Sequence, residues 1–271
     1  MLTSMTLIVG ADTAGKVLTQ DSVSPVFIAW TRFAIAAVLI APFCGLARAD
    51  APALRDPRIW LRALLIIGGI SCILTALRTE PVANTFGAFF IGPVVAYSLS
   101  ALLLKERITP ARTLLLGLSF VGVLMVVKPG FGATLGMGLA LLAGVFHACY
   151  LVSTRWIAQL YRPRLLLFTQ LLLGAVILAP FGLAVRPDTL TTGIVLLVTL
   201  SALGSAMGNL LLVMLSQTTP SSVIAPLIYT QLLSATVLGY LVFGDWPDLI
   251  SFAGLALIFA TGLASLAIAR R

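Results

Sequence analysis

The sequence predicts an all-α integral membrane protein, with ten transmembrane helices in two inverted five-helix repeats around a central cavity. The first observation is composition: 60% of the residues are hydrophobic, 10% are charged, and the mean hydropathy is +1.10. Soluble domains are about one quarter charged, so lipid must be the solvent for most of this chain. The second observation is a series of ten apolar segments, and the third is that the last five resemble the first five.

Turn residues and charges separate the ten predicted spans. The uncharged stretch 189–244 is too long for one helix, and the polar run 216–220 divides it. The spans cover residues 2–18, 24–46, 60–77, 82–104, 110–128, 133–158, 163–184, 191–215, 220–243 and 249–269. We assign residues 1–130 to the first repeat and residues 131–271 to the second repeat.

The basic residues indicate how the spans are oriented. With the N-terminus inside, twelve of the 17 Lys and Arg face the cytoplasm, Arg62 among them; four face outward, and Arg32 lies within a span. This bias predicts that both termini are cytoplasmic. The net charge of +8 is therefore assigned to loops beside membrane lipid, and nucleic acid is not expected as a partner.

The fourth span, residues 82–104, is the segment that aligns with the second half of the chain and indicates the repeat. Its 23 residues include no charge, and Pro93 in the middle removes a helical hydrogen bond, so a kink is expected there. The ninth span follows at an offset of 139 residues. Equivalent pairs are Pro81 and Pro220, Phe90 and Tyr229, Gly92 and Gln231, Glu106 and Asp245 and, after a one-residue slip, Pro25 and Pro163. Five spans per copy make the second copy inverted, which is typical of secondary transporters.

These segments resemble the signature of EamA-type members of the drug/metabolite transporter superfamily. The first copy reads Ala76-Leu-Arg-Thr-Glu-Pro-Val-Ala-Asn84, then Gly92-Pro93 and Leu103-Leu-Lys-Glu-Arg107. The second reads Pro220-Ser-Ser-Val-Ile-Ala225, then Tyr229-Thr-Gln231 and Leu241-Val-Phe-Gly-Asp245, without a central proline. The resemblance covers the whole chain. It implies the ten-helix fold, a central cavity and export of small metabolites from the bacterial cytoplasm, as in amino-acid exporters of the YddG type.

Polar and aromatic residues in the apolar spans are the candidate substrate site. Buried amides need hydrogen-bond partners, and aromatic side chains form an apolar wall that can close. Helix packing explains any single one of them equally well. The predicted substrate-binding residues are Asn84, Phe90, Tyr97, His147, Tyr150, Asn209, Tyr229 and Gln231. His147 is the only histidine, and both a structural role and a role in the cavity or in proton coupling remain open.

Gating or coupling is assigned to Asp12, Lys16, Arg32 and Pro93. An ionisable group at the bilayer centre costs at least about 2.5 kcal/mol, so each one needs a partner or a wet cavity. Asp12 and Lys16 lie four residues apart on one helix face. An internal ion pair and a role in binding protons or substrate charge both remain open for Asp12.

Two classes of function fit these observations. The first is a transporter that exports a small metabolite by alternating access, with amino acids ahead of other metabolites, drugs or sugars. The second is a membrane enzyme acting on lipids, which would need clustered carboxylates or histidines. The single histidine disfavours a multi-histidine metal site, and we expect no cofactor, no metal and no catalytic residue. The sequence does not predict an oligomeric state.

Overall fold

The computed structural model describes residues 1–45, 48–80, 82–106, 108–127, 134–244 and 248–269. Within these ranges the chain is helical and contains no β-strand, which confirms the all-α class. The helices are α1 (Leu2–Gln20), α2 (Pro25–Ile40), α3 (Pro57–Thr79), α4 (Val82–Phe89), α5 (Ile91–Leu103), α6 (Pro110–Val127), α7 (Leu135–Ile157), α8 (Pro163–Ala184), α9 (Thr192–Thr218), α10 (Ser221–Ile228), α11 (Gln231–Phe243) and α12 (Leu249–Ala269). Two short 3-10 helices, Ala41–Phe43 and Arg48–Arg55, lie between α2 and α3.

Many of these helices are long and apolar enough to cross a bilayer. Seven helical stretches in the described ranges meet that requirement, counting the α4–α5 and α10–α11 pairs as one stretch each. Two shorter apolar helices, Pro110–Val126 and Leu249–Ser265, accompany them. Since α1 carries Asp12 and Lys16, it is less apolar, and it is not among the seven. The protein is therefore a multi-pass membrane protein.

Local sequence determines where several helices begin. Prolines occupy the start of α2, α3 and α8, where the missing N–H is one that a helix leaves unpaired anyway. Thr134 and Thr191 precede α7 and α9, and each side-chain oxygen accepts a hydrogen bond from a backbone N–H in the first turn. These starts agree with the predicted spans to within a few residues.

The predicted fourth span is broken, and Phe90 separates α4 from α5. Pro93 lies in the first turn of α5, so the expected kink occurs three residues before the proline. Proline cannot donate to the carbonyl four residues earlier, which is that of Phe89. This carbonyl lies against Gly144 of α7, where an added Cβ would collide with it. The break therefore brings the α4–α5 backbone into close contact with α7.

The ninth span is broken at the equivalent place, between Ile228 and Gln231. Here Leu232 and Leu233 donate to carbonyls three residues back, at 3.0 and 3.1 Å, which tightens the chain into a 3-10 turn. No proline lies at the position equivalent to Pro93, as the sequence indicates, but Pro226 lies inside α10. That proline precedes the break, whereas Pro93 follows its own, so the two breaks have different local causes.

The helices pack mainly across the two halves of the chain. The largest contacts join α3 to α7, α1 to α9, α6 to α12 and α2 to α8. If each helix is replaced by its equivalent in the other half, the α3–α7 contact becomes the α1–α9 contact. The α6–α12 and α2–α8 contacts each map onto themselves. Gly204 and Gly208 of α9 lie against the α1 backbone, where a Cβ would be 3.1 Å from the Leu7 carbonyl oxygen and 2.9 Å from that of Ser4. Small residues thus allow the close approach of these helices.

Candidate functional site

A cavity of about 50 Å³ lies between α1, α3, α7 and α9, beside the two helix breaks. Its polar lining consists of Asp12, Arg32, His147, Ser205, Asn209 and Gln231. The remaining lining is apolar and includes Phe86 and Phe89. A volume of this size holds a few water molecules and is too small for an amino acid. The polar groups are thus already gathered around one small central space.

An ion pair forms one wall of the cavity. Arg32 of α2 donates to a carboxylate oxygen of Asp12 at 2.7 Å, and both side chains are largely buried. The same guanidinium donates to the hydroxyl of Ser201 at 2.8 Å and to the Ala11 carbonyl at 2.7 Å. Because every contact is short and directed, the pair joins α1, α2 and α9 into one polar cluster. This is the internal ion pair that the sequence left open for Asp12.

Two amides face the cavity from the second half. Gln231 is the first residue of α11, and its side chain is buried in the cavity wall. At the equivalent position of the first half, a Cβ on Gly92 would lie 2.8 Å from the Gly144 carbonyl oxygen, so no side chain fits there. Asn209 of α9 donates to the Ser205 carbonyl at 2.8 Å, which leaves its amide oxygen oriented toward other partners.

Aromatic side chains join the two helix breaks. Phe90 and Tyr229 are fully buried, with ring centroids 5.6 Å apart in an edge-to-face arrangement. The Tyr229 hydroxyl donates to the Phe90 carbonyl at 3.1 Å. The residues that the sequence aligned therefore contact each other, although neither lines the cavity. His147 does line it, with its ring 5.4 Å from that of Phe89 and 6.0 Å from that of Tyr150.

Four further predicted site residues lie away from the cavity or outside the described residues. The Tyr97 hydroxyl is 2.9 Å from the Thr113 hydroxyl, between α5 and α6. The Lys16 ammonium lies 4.8 Å from the centre of the Phe243 ring. Pro93 is buried in the first turn of α5, and the side chain of Asn84 lies outside the described residues.

A second polar cluster surrounds Arg62, which the sequence analysis counted among the basic residues on the cytoplasmic side. Arg62 lies inside α3 and is only 1% exposed, so it is a buried residue of the helix packing and not a loop charge. Its guanidinium donates to the Thr154 hydroxyl at 2.8 Å, the Leu166 carbonyl at 2.8 Å and the Tyr150 hydroxyl at 2.9 Å. The available signal was its position, since Arg62 lies two residues inside the predicted span 60–77.

The basic end of the molecule, formed by residues 41–45, 48–56, 104–106, 158–162 and 219–220, is held by polar contacts between the halves. The Glu106 carboxylate accepts hydrogen bonds from the backbone N–H groups of Ser221 and Ser222 at 3.0 and 2.9 Å. It thereby caps the first turn of α10, where a negative charge is favourable. Its repeat equivalent, Asp245, lies outside the described residues.

Two further contacts tie the same end together. Arg162 pairs with Asp50 at 2.7 Å, and the Tyr161 hydroxyl donates to Asp56 at 2.7 Å. This bond and one from the Arg58 backbone N–H hold the pKa of Asp56 below its usual value. The hydrogen bond to Asp56 in turn raises the pKa of Tyr161, because ionisation would remove the donated proton. The loops before α3 and α8 are therefore linked across the halves.

The comparison with protein families agrees with this architecture. A model of the EamA-like transporter family matches residues 1–128 and again residues 134–266. This chain belongs to the EamA-like transporter family. The match confirms the resemblance on which the sequence analysis relied. The EamA-like chain is accordingly a membrane transporter for a small-molecule substrate, and this assignment favours a transporter over an enzyme.

Several relatives of this EamA-like chain carry the name transporter. An uncharacterized transporter of Helicobacter pylori is 23% identical over 73% of this chain and 70% of the relative. An uncharacterized transporter of Archaeoglobus fulgidus is 29% identical over 58% of this chain and 57% of the relative. A riboflavin transporter of Brucella anthropi is 29% identical over 54% of this chain and 52% of the relative. A solved crystal structure that is 19% identical has the same fold, with a TM-score of 0.81 over 100% of this chain and 96% of that one.

Proposed function

We propose that this chain exports small metabolites, amino acids first, by alternating access across the bacterial inner membrane. Its ten spans form two inverted five-helix repeats, residues 1–130 and 131–271, in which the α4–α5 and α10–α11 pairs are the broken fourth and ninth spans. Two observations support this arrangement. The family model matches the chain twice, and the main helix contacts keep their pattern when the halves are exchanged.

The Asp12–Arg32 pair in the cavity wall is the observation that carries the proposal. An amino acid presents an ammonium and a carboxylate, which this pair binds by exchanging its internal contact for two contacts to the substrate. Asn209 and Gln231 add neutral hydrogen-bonding groups, and His147 lies beside them. A mostly apolar cavity with a few convergent polar groups is the usual form of a small-ligand site.

Transport requires the helices around this cavity to separate, since the space is too small for an amino acid. The helix breaks are the proposed hinges, with Pro93 in the first and Pro226 before the second. The hydrogen bond from Tyr229 to Phe90 connects the breaks, so movement at one break is transmitted to the other. In this proposal, the contacts at the basic end hold that side of the molecule together and must open for a solute to pass.

Counterflow in liposomes tests the proposal. Purified protein is reconstituted into vesicles preloaded with one unlabelled amino acid, and uptake of the same radiolabelled amino acid is measured against protein-free vesicles. We expect uptake for at least one member of a panel of amino acids. Gln231→Ala should cut that uptake while the free energy of unfolding changes by no more than about 1 kcal/mol. Gln20→Ala, a change at an exposed glutamine, is the matched control.

A panel without counterflow of any amino acid would contradict amino-acid export. A flavin is the second candidate, because one relative is a riboflavin transporter and the cavity wall includes Phe86, Phe89 and His147, whose rings can stack on a planar ligand. Radiolabelled riboflavin, a sugar and a cationic dye therefore belong in the same panel. A lipid enzyme is the remaining alternative, and hydrolysis of labelled phospholipid in the same vesicles would favour it.

The proposed orientation places both termini and the basic end in the cytoplasm. Single cysteines at the exposed positions 55 and 186, in a variant without Cys44, Cys72 and Cys149, report it. An impermeant thiol reagent added to intact cells should label position 186 and spare position 55. Labelling of position 55 but not of position 186 would show that the topology is the opposite of the proposed one.

A further inference from the structure

We propose that Arg62 is an anion-binding subsite that receives the carboxylate of the transported solute at the basic end of the cavity. This inference rests on the proposed function and deepens it, because it assigns the substrate to the carboxylate-bearing solutes. It also assigns a role to a residue that no other part of the transport proposal requires.

Neutral groups surround the buried guanidinium of Arg62. Its guanidinium donates to the Thr154 and Tyr150 hydroxyls and to the Leu166 carbonyl, which are all neutral acceptors. Among the residues that the structure describes, no carboxylate forms an ion pair with it. The guanidinium also lies 4.8 Å from the centre of the Tyr150 ring. Arginine stays charged in proteins, so α3 carries a buried cation held only by dipoles and an aromatic ring.

The repeat provides an internal comparison. Asp12 and Arg32 align with Tyr150 and Gln170 at an offset of 138 residues, and Arg62 aligns with Ser201 at 139. The first cluster therefore combines an arginine on α2, a carboxylate on α1 and a hydroxyl on α9. The second combines an arginine on α3 with a phenol on α7 and an amide on α8. The carboxylate that neutralises Arg32 has a neutral phenol as its equivalent beside Arg62.

The clusters also lie toward opposite ends of the molecule. Arg62 follows the start of α3 by five residues, about 7.5 Å from the basic end along the helix. Arg32 follows the start of α2 by seven residues, about 10 Å from the other end. A solute that crosses from the basic end meets the unneutralised guanidinium first and the Asp12–Arg32 pair afterwards.

A short hydrogen-bond path links Arg62 to the cavity. The Tyr150 hydroxyl that accepts from Arg62 also lies 3.0 Å from the Gln170 amide oxygen and 3.5 Å from the Asn209 amide oxygen. Asn209 lines the cavity. A carboxylate entering beside Asn209 can therefore replace the Tyr150 hydroxyl on the Arg62 fork. An Arg fork binds a carboxylate through two parallel hydrogen bonds and discriminates against a neutral amide.

The test compares substrates with and without a carboxylate. Counterflow of radiolabelled L-leucine and L-phenylalanine is measured with increasing concentrations of each amino acid or its amide as competitor. In the wild type we expect the acids to compete at least about tenfold better than the amides, as is typical of a charged hydrogen bond. Arg62→Gln should lower this ratio by at least about threefold and leave the part of the preference that Arg32 provides, while Arg58→Gln, an exposed arginine on the same helix, should keep the full ratio.

The outcomes separate this inference from the proposed function. If the wild type exchanges these amino acids and Arg62→Gln keeps the full preference for the acids, the subsite is wrong and amino-acid transport stands. If the wild type exchanges no amino acid of the panel, both proposals fail; if it exchanges only others, the same competition is run with those amino acids and their amides. Should Arg62→Gln not fold, Arg62→Lys serves instead, because it keeps the charge but loses the fork. A smaller preference in that variant supports the subsite, and an undiminished one overturns it.

Discussion

The polar clusters around Arg32 and Arg62 occupy equivalent parts of the two halves and carry different chemistry. The first is a closed ion pair, with Asp12 opposite Arg32 at 2.7 Å. The second is an arginine surrounded by neutral acceptors, with Tyr150 where the first has its carboxylate. A duplicated framework thus acquires two distinct polar clusters through single residue differences. The framework decides where polar groups meet, and the individual side chains decide whether a buried charge is paired with an opposite charge.

The helix breaks show the same divergence. In the first half, Gly92 and Gly144 allow α5 and α7 to touch backbone to backbone. In the second half the equivalent position holds Gln231, whose side chain enters the cavity. One break therefore provides close packing, and the other places a polar side chain at the cavity.

The largest expected effect comes from removing the carboxylate of the Asp12–Arg32 ion pair. Asp12→Ala leaves the guanidinium of Arg32 buried without its counter-charge, so the free energy of unfolding should fall by about 3–5 kcal/mol. Unfolding of the detergent-solubilised protein by denaturant measures this loss. Asp188→Ala, at an exposed carboxylate, is the control and should change little. A loss below about 1 kcal/mol would show that charge pairing does not hold the first cluster together.

The next effect tests the backbone contact at the first break. Gly144→Ala places a Cβ against the carbonyl oxygen of Phe89, so overpacking should destabilise the protein by about 1–3 kcal/mol. Gly138→Ala, on the same helix with open space around its Cβ, should be neutral or stabilising. The melting temperatures of both variants in one detergent provide the measurement. Equal values would mean that α7 moves aside without cost.

A smaller effect is expected from the second cluster. Tyr150→Phe removes one of the three hydrogen-bond acceptors of Arg62 and keeps the ring, so the loss in unfolding free energy should be about 0.5–1.5 kcal/mol. The same denaturant experiment measures it. A loss as large as that of Asp12→Ala would contradict the expected difference between the clusters, because the second would then be as tightly coupled as the first.

The smallest effect concerns pH at the basic end. The pKa of Asp56 is lowered in the folded state by the Tyr161 hydroxyl and the Arg58 backbone N–H. Its stabilising contribution is therefore complete above the unfolded pKa of about 3.9 and is lost as the pH falls through the folded pKa. The melting temperature of the wild type should thus drop more steeply below pH ~4 than that of Asp56→Asn. Parallel curves for the two proteins would exclude this linkage.

Much of the fold could be predicted from the sequence because membrane helices follow local rules. Apolar length, turn residues and prolines predicted most helix boundaries, and the Phe90–Tyr229 alignment anticipated a contact across 139 residues. The second break was harder to predict, since it comes from a 3-10 turn after Pro226 with no proline at the position equivalent to Pro93.

The sequence by itself determined the membrane environment, the all-α class and the family, because hydropathy and signature spacing are properties of the chain. Only the tertiary structure decided which polar residues meet. Arg62 looked like a surface charge two residues inside a span, yet helices α7 and α8 bury it. Asp12 had two candidate partners, and the packing of α1 on α2 and α9 brought Arg32 to it while Lys16 lies over Phe243. The partner of a buried polar group depends on which helix faces are brought together, and one helix sequence does not contain that information.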